Sequence, residues 1–219
     1  MSSRKLDRER QILDIAADLF RQRGYQGMRM DDLAETVKLN KGTLYHYFSS
    51  KAELLYRIYL DTSTEIIEAM RAHPADAAPD ALLGQIVGDI ARAIERRRNY
   101  VTVFFQEMHW IEQWLPAEHF EEIDAIQVEF RNYVTGVIER GVKEGVFRPV
   151  DASVAALGII GMAGWTYQWY APGGRYSMDD VAEIFCDLTL TALRTDEDGD
   201  GGDGVPAPRP AGREPAARR

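Results

Sequence analysis

Residues 41–48, Lys41-Gly42-Thr43-Leu44-Tyr45-His46-Tyr47-Phe48, gather the side chains best suited to chemistry on a polyanion. Leu44 and Phe48 lie four residues apart and share one face of a short helix. At 100° per residue Gly42, Thr43, Tyr45 and His46 then turn away from that face. Glycine permits close backbone approach, while the Thr43 and Tyr45 hydroxyls can bond phosphate oxygens or sit beside thymine methyl groups. Lys41 and Lys51 fall at helix N-termini, where a cation and free N–H groups both face phosphate. Spacing alone leaves two readings open: a surface that enters a DNA groove, or a core fragment whose aromatic rings pack on a neighbouring domain.

Elsewhere no catalytic constellation emerges. His109 has Glu107 and Glu112 nearby, and His119 sits among Glu118, Glu121, Glu122 and Asp124. Neither shows His-Glu-x-x-His spacing, so both read as solvated acidic faces, and no metal is expected. The single cysteine, Cys186, lies in an apolar helical stretch without a paired histidine and reads as packing. No cofactor loop and no nucleophile–base pair are present, which argues against an enzyme.

The elements that must position residues 41–48 are helical. Period-3.6 patterns recur along the chain and strand signals are nearly absent, so the expected class is all-α with about nine helices. A first helix over residues 4–23 carries Ile12, Ile15, Ala16, Leu19 and Phe20 on one face and ends at Gly24. Short helices over 30–37 and 41–47 can be stable only when packed on it. Ser50 to Glu53 reads as a capping box that opens a long helix over 51–71. Helices over 80–97, 100–114, 118–143, 152–171 and 178–195 follow, with Asp151 and Ser177 as N-caps of the last two. Three units are expected: a DNA-binding head over 7–67, a ligand-binding and dimerisation body over 68–195, and a disordered acidic/Pro-Ala-Arg tail over 196–219. The tail's Asp-Gly run lacks the bidentate glutamate of a calcium loop.

The formal net charge of −9 looks unfavourable for a DNA binder, but it is unevenly spread. Residues 1–55 hold ten Lys/Arg against eight Asp/Glu, a local +2 that leaves −11 for the remainder. Phosphate binding needs a local basic surface, and an acidic body keeps the rest off DNA. The polar start and the lone cysteine point to a cytoplasmic protein. Residues 152–174 carry no charge, yet their glycines and Pro172 make a poor membrane span. A helix apolar all round is more simply buried on two sides. The expected arrangement is a two-fold homodimer through Val154, Gly158, Gly161, Leu188, Leu190 and Leu193.

Residues 8–55 resemble the DNA-binding domain of the TetR family, especially Gly24-Tyr25, Asp32-Leu33-Ala34 and the run from Lys41 to Leu55. The resemblance implies that Lys41 to Tyr47 is the recognition helix, that Tyr45 clamps phosphate, and that Lys51 lies on the DNA backbone. One departure is notable: Met28 and Arg29 stand where the family usually has Thr or Ser before the motif's first helix. A hydroxyl cap is missing there, so Arg29, with Met30 beside it, is expected against phosphate instead.

The resemblance also implies an apolar inducer pocket in the body. The large apolar residues there, which spacing alone would assign to core, become candidate lining: Tyr100, Phe104, Phe105, Met108, Trp114, Ile123, Phe130, Met162, Trp165 and Trp169. The stretch from Gly161 to Gly174 is similar to members that respond to acyl-CoA thioesters in fatty-acid or sterol breakdown. Arg96-Arg97-Arg98 is read as a solvated helix-end run, with a coenzyme phosphate as the alternative. The expected protein is thus a dimeric repressor of a palindromic double-stranded DNA operator, released by a small apolar effector such as an acyl-CoA.

Overall fold

The structure, a computed structural model, describes residues 3–195; the expected tail lies outside the described residues. It begins with α1 (Ser3–Gly27), whose Ile12, Ala16 and Phe20 are fully buried. The regular helix ends at Gly24, as the sequence indicates. There φ is +68°, a left-handed value that glycine adopts without penalty, and one bent turn follows before Gly27. The bend costs the Tyr25 N–H its helical acceptor, and Oε1 of Glu107 accepts it instead at 2.8 Å.

Next come α2 (Met30–Thr36) and α3 (Lys41–Tyr47), joined by a turn in which Lys38 takes φ +56°. Arg8 donates to the Val37 carbonyl at 2.7 Å and Arg23 pairs with Asp32 at 2.5 Å, so α1 grips both ends of α2. No side chain caps α2, as the missing hydroxyl foretells; Asp31 and Asp32 in its first turn complement the helix dipole instead. Asn40, not singled out from the sequence, caps α3 by accepting the Thr43 N–H at 2.8 Å.

The long α4 (Lys51–Arg71) has Ser50 as N-cap, with its hydroxyl accepting the Glu53 N–H at 3.1 Å. The reciprocal arm is displaced by one residue: Glu53 accepts from Ser49 N–H and Oγ, not from Ser50. After α5 (Pro79–Arg96), the single helix expected over 100–114 is two, α6 (Arg98–Glu107) and α7 (Ile111–Trp114). The intervening turn leaves Trp110 exposed and lets Ile111 and Leu115 bury against the head.

The 27-residue α8 (Ala117–Lys143) crosses the body. The helix expected over 152–171 breaks at Trp165 into α9 (Ala152–Gly164) and α10 (Thr166–Trp169). Gly164 lies so close to the Phe105 ring that a Cβ there would sit 2.8 Å from it. Asp151 caps α9 and Ser177 forms a capping box with Asp180 on α11 (Met178–Leu193), both as the sequence indicates. The described residues thus hold eleven helical segments and one isolated bridge, Phe147 to Arg194.

Two hydrophobic clusters organise them. The first joins α1 to α4 and takes in Tyr100, Val103, Ile111, Leu115 and Ile123 from beyond α4; the second fills the body between α5, α8, α9 and α11. Val101 of α6 also joins the second and Ile66 of α4 packs against it, while Ile123 comes from α8, so α4, α6 and α8 link the two. None of the described helices is long and apolar enough to cross a membrane.

Candidate nucleic-acid interface and ligand cavity

Leu44 of α3 and Phe48, its C-cap, are buried at 0% and 1% exposure and anchor the helix in the head core. Lys41, Gly42, Tyr45 and His46 are exposed, whereas Thr43 and Tyr47 are half-buried. Tyr47 and Met30 pack partly against the head core, so part of each apolar surface is already used. Arg29 is exposed beside them. Lys41 makes a 2.7 Å ion pair with Asp31, which raises the ammonium's pKa and lowers that of the carboxylate. Both partners are solvent-exposed, so the pair is weak enough to exchange for a phosphate.

Lys51 has a task that the sequence did not suggest. Its Nζ donates to the carbonyls of Tyr25 at 2.7 Å and Met28 at 3.2 Å, and lies 4.3 Å from the centre of the Tyr25 ring. It closes the end of α1, where unpaired carbonyls attract a cation. Burial lowers the ammonium's pKa, and Glu107 opposes that shift. Within the chain Lys51 thus ties the end of α1 to the start of α4.

Behind the head, Tyr25 stacks on Trp114 at 4.4 Å and its N–H meets Glu107. Burial holds the Glu107 carboxyl above its ordinary range; the Tyr25 N–H bond and the charge of Lys51 pull it back. Tyr59 of α4 donates to the Phe104 carbonyl of α6 at 2.5 Å. The neighbours of Glu107 along α6 also border open space. Phe104, Phe105 and Met108 line a cavity of about 410 Å³, with Phe130 from α8 and Leu157, Gly161 and Gly164 from α9. This volume falls within the range of small-molecule sites.

Six of the ten expected lining residues lie elsewhere. Tyr100 is buried and donates to Asp14 at 2.9 Å; Trp114 stacks on Tyr25; Ile123 belongs to the head cluster. Met162 is half-buried outside the cavity, and Trp165 and Trp169 are 59% and 48% exposed. Helical spacing says that these residues are apolar, not which neighbour each face of α6 or α9 meets. Missed were Ile90, Ala93, Ile94, Val101, Ile126 and Ile160, and four polar groups: Thr62, Ser63, Gln127 and Arg131. The charge-free run 152–174 was the available signal for the α9 members; short aliphatic residues on α5 carry none.

A larger cleft of about 1120 Å³ between α1, α4 and the α5–α6 junction is open and charged. There Arg96 and Arg97 pair with Glu65 at 2.7 and 2.9 Å, while Arg98 donates to the Tyr170 carbonyl. Arg96 and Arg97 are thus paired with carboxylates within the chain, while Arg98 is hydrogen-bonded but keeps its charge. Cys186 donates to the Gly84 carbonyl, and burial raises its thiol pKa, consistent with packing.

On the outer face of α9 and α11, Val154 and Leu188 are 65% and 52% exposed, and Gly158 and Gly161 open onto free space. Leu190 is only half-exposed, and Leu193 is buried in its own body. The end of α11 is drawn inward there by the Arg148 N–H bond to the Leu193 carbonyl at 2.8 Å. Leu193 is therefore corrected from an interface residue to a core residue.

A helix-turn-helix head with an exposed recognition face, joined through shared helices to a hollow helical body, is the architecture of a one-component transcriptional regulator. Residues 12–58 match the bacterial regulatory proteins of the tetR family, and residues 76–193 match the tetracyclin repressor-like C-terminal domain. The chain belongs to the TetR family. The HTH-type transcriptional repressor KstR2 of Rhodococcus jostii (strain RHA1) is 30% identical over 194 residues, 88% of this chain and 94% of that one. PfmR from Thermus thermophilus, a TetR family transcriptional regulator, is similar at a TM-score of 0.73 and 32% identity, over 82% of this chain and 97% of that one. AibR in complex with isovaleryl coenzyme A and operator DNA is similar at a TM-score of 0.70 and 26% identity, over 85% of this chain and 98% of that one. These relatives are regulators of transcription, not enzymes.

Proposed function

We propose that the chain is a homodimeric cytoplasmic repressor that binds a palindromic operator and is released when an apolar effector, such as an acyl-CoA thioester, enters the cavity. The observation that carries this reading is the two-sidedness of α6. Phe104, Phe105 and Met108 line the cavity, while Glu107 between them holds the Tyr25 N–H at the bend of α1. Tyr59 also ties α4 to the Phe104 carbonyl. A ligand that pushes α6 therefore acts on both helices that carry the recognition module. Release requires that it bind the DNA-incompetent arrangement more tightly.

In the same reading Arg29, Met30, Lys41, Gly42, Thr43, Tyr45, His46 and Tyr47 meet the operator. The exposed face around Val154, Gly158, Gly161 and Leu188 pairs with a second copy, setting two heads about one helical turn apart. Relatives support the effector class: AibR is solved with isovaleryl coenzyme A and operator DNA. Fluorescence anisotropy on DNA from upstream of the chain's own gene, with and without a long-chain acyl-CoA, tests it. Tight, salt-sensitive binding that the thioester abolishes is the expected result. Binding that ignores every acyl-CoA removes the effector class, and equal effector affinity for free and DNA-bound protein removes the release mechanism.

A further inference from the structure

The lining of the cavity is not uniformly apolar. Among its lining residues, α5, α6 and α9 contribute only apolar side chains and glycines. All four polar groups come from α4 and α8, which pack against each other: Thr62 and Ser63 on the first, Gln127 and Arg131 on the second. Thr62 is satisfied, since its hydroxyl donates to the Ile58 carbonyl at 2.7 Å. Ser63 is not. It is 7% exposed, and its Oγ has neither a hydrogen-bond partner nor free surface, so an acceptor in the cavity reaches it only after the side chain turns about χ1. A buried hydroxyl left unpaired costs free energy that a bound acceptor recovers.

Arg131 is the second unpartnered group. Its guanidinium makes no hydrogen bond or ion pair with any described residue; Arg10, Arg29 and Arg57 lack one too, but none of those three lines the cavity. A cation at an apolar wall, without a counter-ion, is suited to an anion delivered by the ligand.

We infer that the effector is an apolar acyl compound with one polar edge: an oxygen that accepts from Ser63, and an anionic group that pairs with Arg131. The inference rests on the cavity being the effector site. The anion is either the carboxylate of a free acid or a phosphate of a thioester's carrier. At about 410 Å³ the cavity takes the acyl body, and a bulky carrier must extend beyond it.

Isothermal titration of the full chain with decanoate, decanoyl-CoA and uncharged decanol at one ionic strength tests this. At least one of the two anions should bind about tenfold or more tightly than decanol. Whichever is preferred identifies the source of the anion. Arg131→Gln should abolish that preference and leave decanol binding unchanged, whereas Arg131→Lys, which keeps the charge, should retain most of it. Ser63→Ala should weaken all three probes by about two- to tenfold without altering the preference. Decanol binding as tightly as both anions, or a preference that survives Arg131→Gln, overturns the inference and leaves the cavity as effector site. Binding of none of the three overturns both the inference and the reading beneath it.

Discussion

The head and the body are built from the same helices and the same aliphatic residues, yet one is filled and the other is hollow. In the head, Ile12, Ala16, Leu33, Leu44 and Phe48 are at most 1% exposed and close on one another around α1. In the body, Phe104, Phe105 and Phe130 border about 410 Å³ of open space, and Val154 and Leu188 face outward. A reader of DNA must hold a few side chains at fixed spacing, which dense packing secures. A sensor must have a second arrangement within reach, and a void supplies one because its lining has forfeited contacts that a ligand can restore.

Filling substitutions test the contrast most severely. Ala16→Leu forces extra volume into a closed core and should cost about 1–3 kcal/mol or more in urea unfolding. Ala93→Leu projects the same atoms into the cavity, should cost less than about 1 kcal/mol, and should abolish effector release while leaving operator binding intact. Equal costs at the two positions would mean that the void is not available space.

Lys51→Ala comes next. Its loss leaves the Tyr25 and Met28 carbonyls without their charged donor, so the expected destabilisation is about 1–3 kcal/mol by urea midpoint. Were Lys51 chiefly a phosphate contact, the midpoint would hold and only the salt dependence of DNA binding would fall. Tyr45→Ala should do the opposite: about tenfold weaker binding on every DNA sequence, with the unfolding midpoint unchanged, because the ring is 40% exposed and belongs to neither core cluster. Thr43→Ala should instead shift sequence preference, measured by competition between operator variants.

The smallest expected effect sits at the joint. Burial raises Glu107 above its ordinary 4.5, so the native state favours its protonated form. Its contribution is complete below that ordinary value and is lost as pH rises through the higher native one. Wild-type stability should therefore fall as pH rises across this window. Glu107→Gln keeps an acceptor for the Tyr25 N–H and should remove the slope in urea midpoints measured against pH.

How much of this was legible varied with distance along the chain. The bounds of α3 and α4 follow from Leu44/Phe48 spacing and from the Ser50 cap, both within a few residues. Caps at Asp151 and Ser177 are equally local. The end of the regular helix at Gly24 was legible, but not the extra turn beyond it, because only the distant Glu107 carboxylate satisfies the N–H that the bend frees. Likewise Gly164 and Trp165 interrupt an apolar run whose composition shows no break; the contact with Phe105, some sixty residues earlier, produces it.

By itself, then, the sequence determined the helical class, the recognition helix with its buried and exposed faces, and the excess of apolar groups in the body. These depend on periodicity, capping and side-chain type, which act over a turn or two. Tertiary structure alone decided that Lys51 serves the end of α1, that Tyr100, Trp114 and Ile123 pack toward the head, and that Leu193 turns inward. It alone left Ser63 and Arg131 unpaired beside a void. Each of those outcomes depends on which helix arrives opposite which face, and one helix period carries no information about its partner.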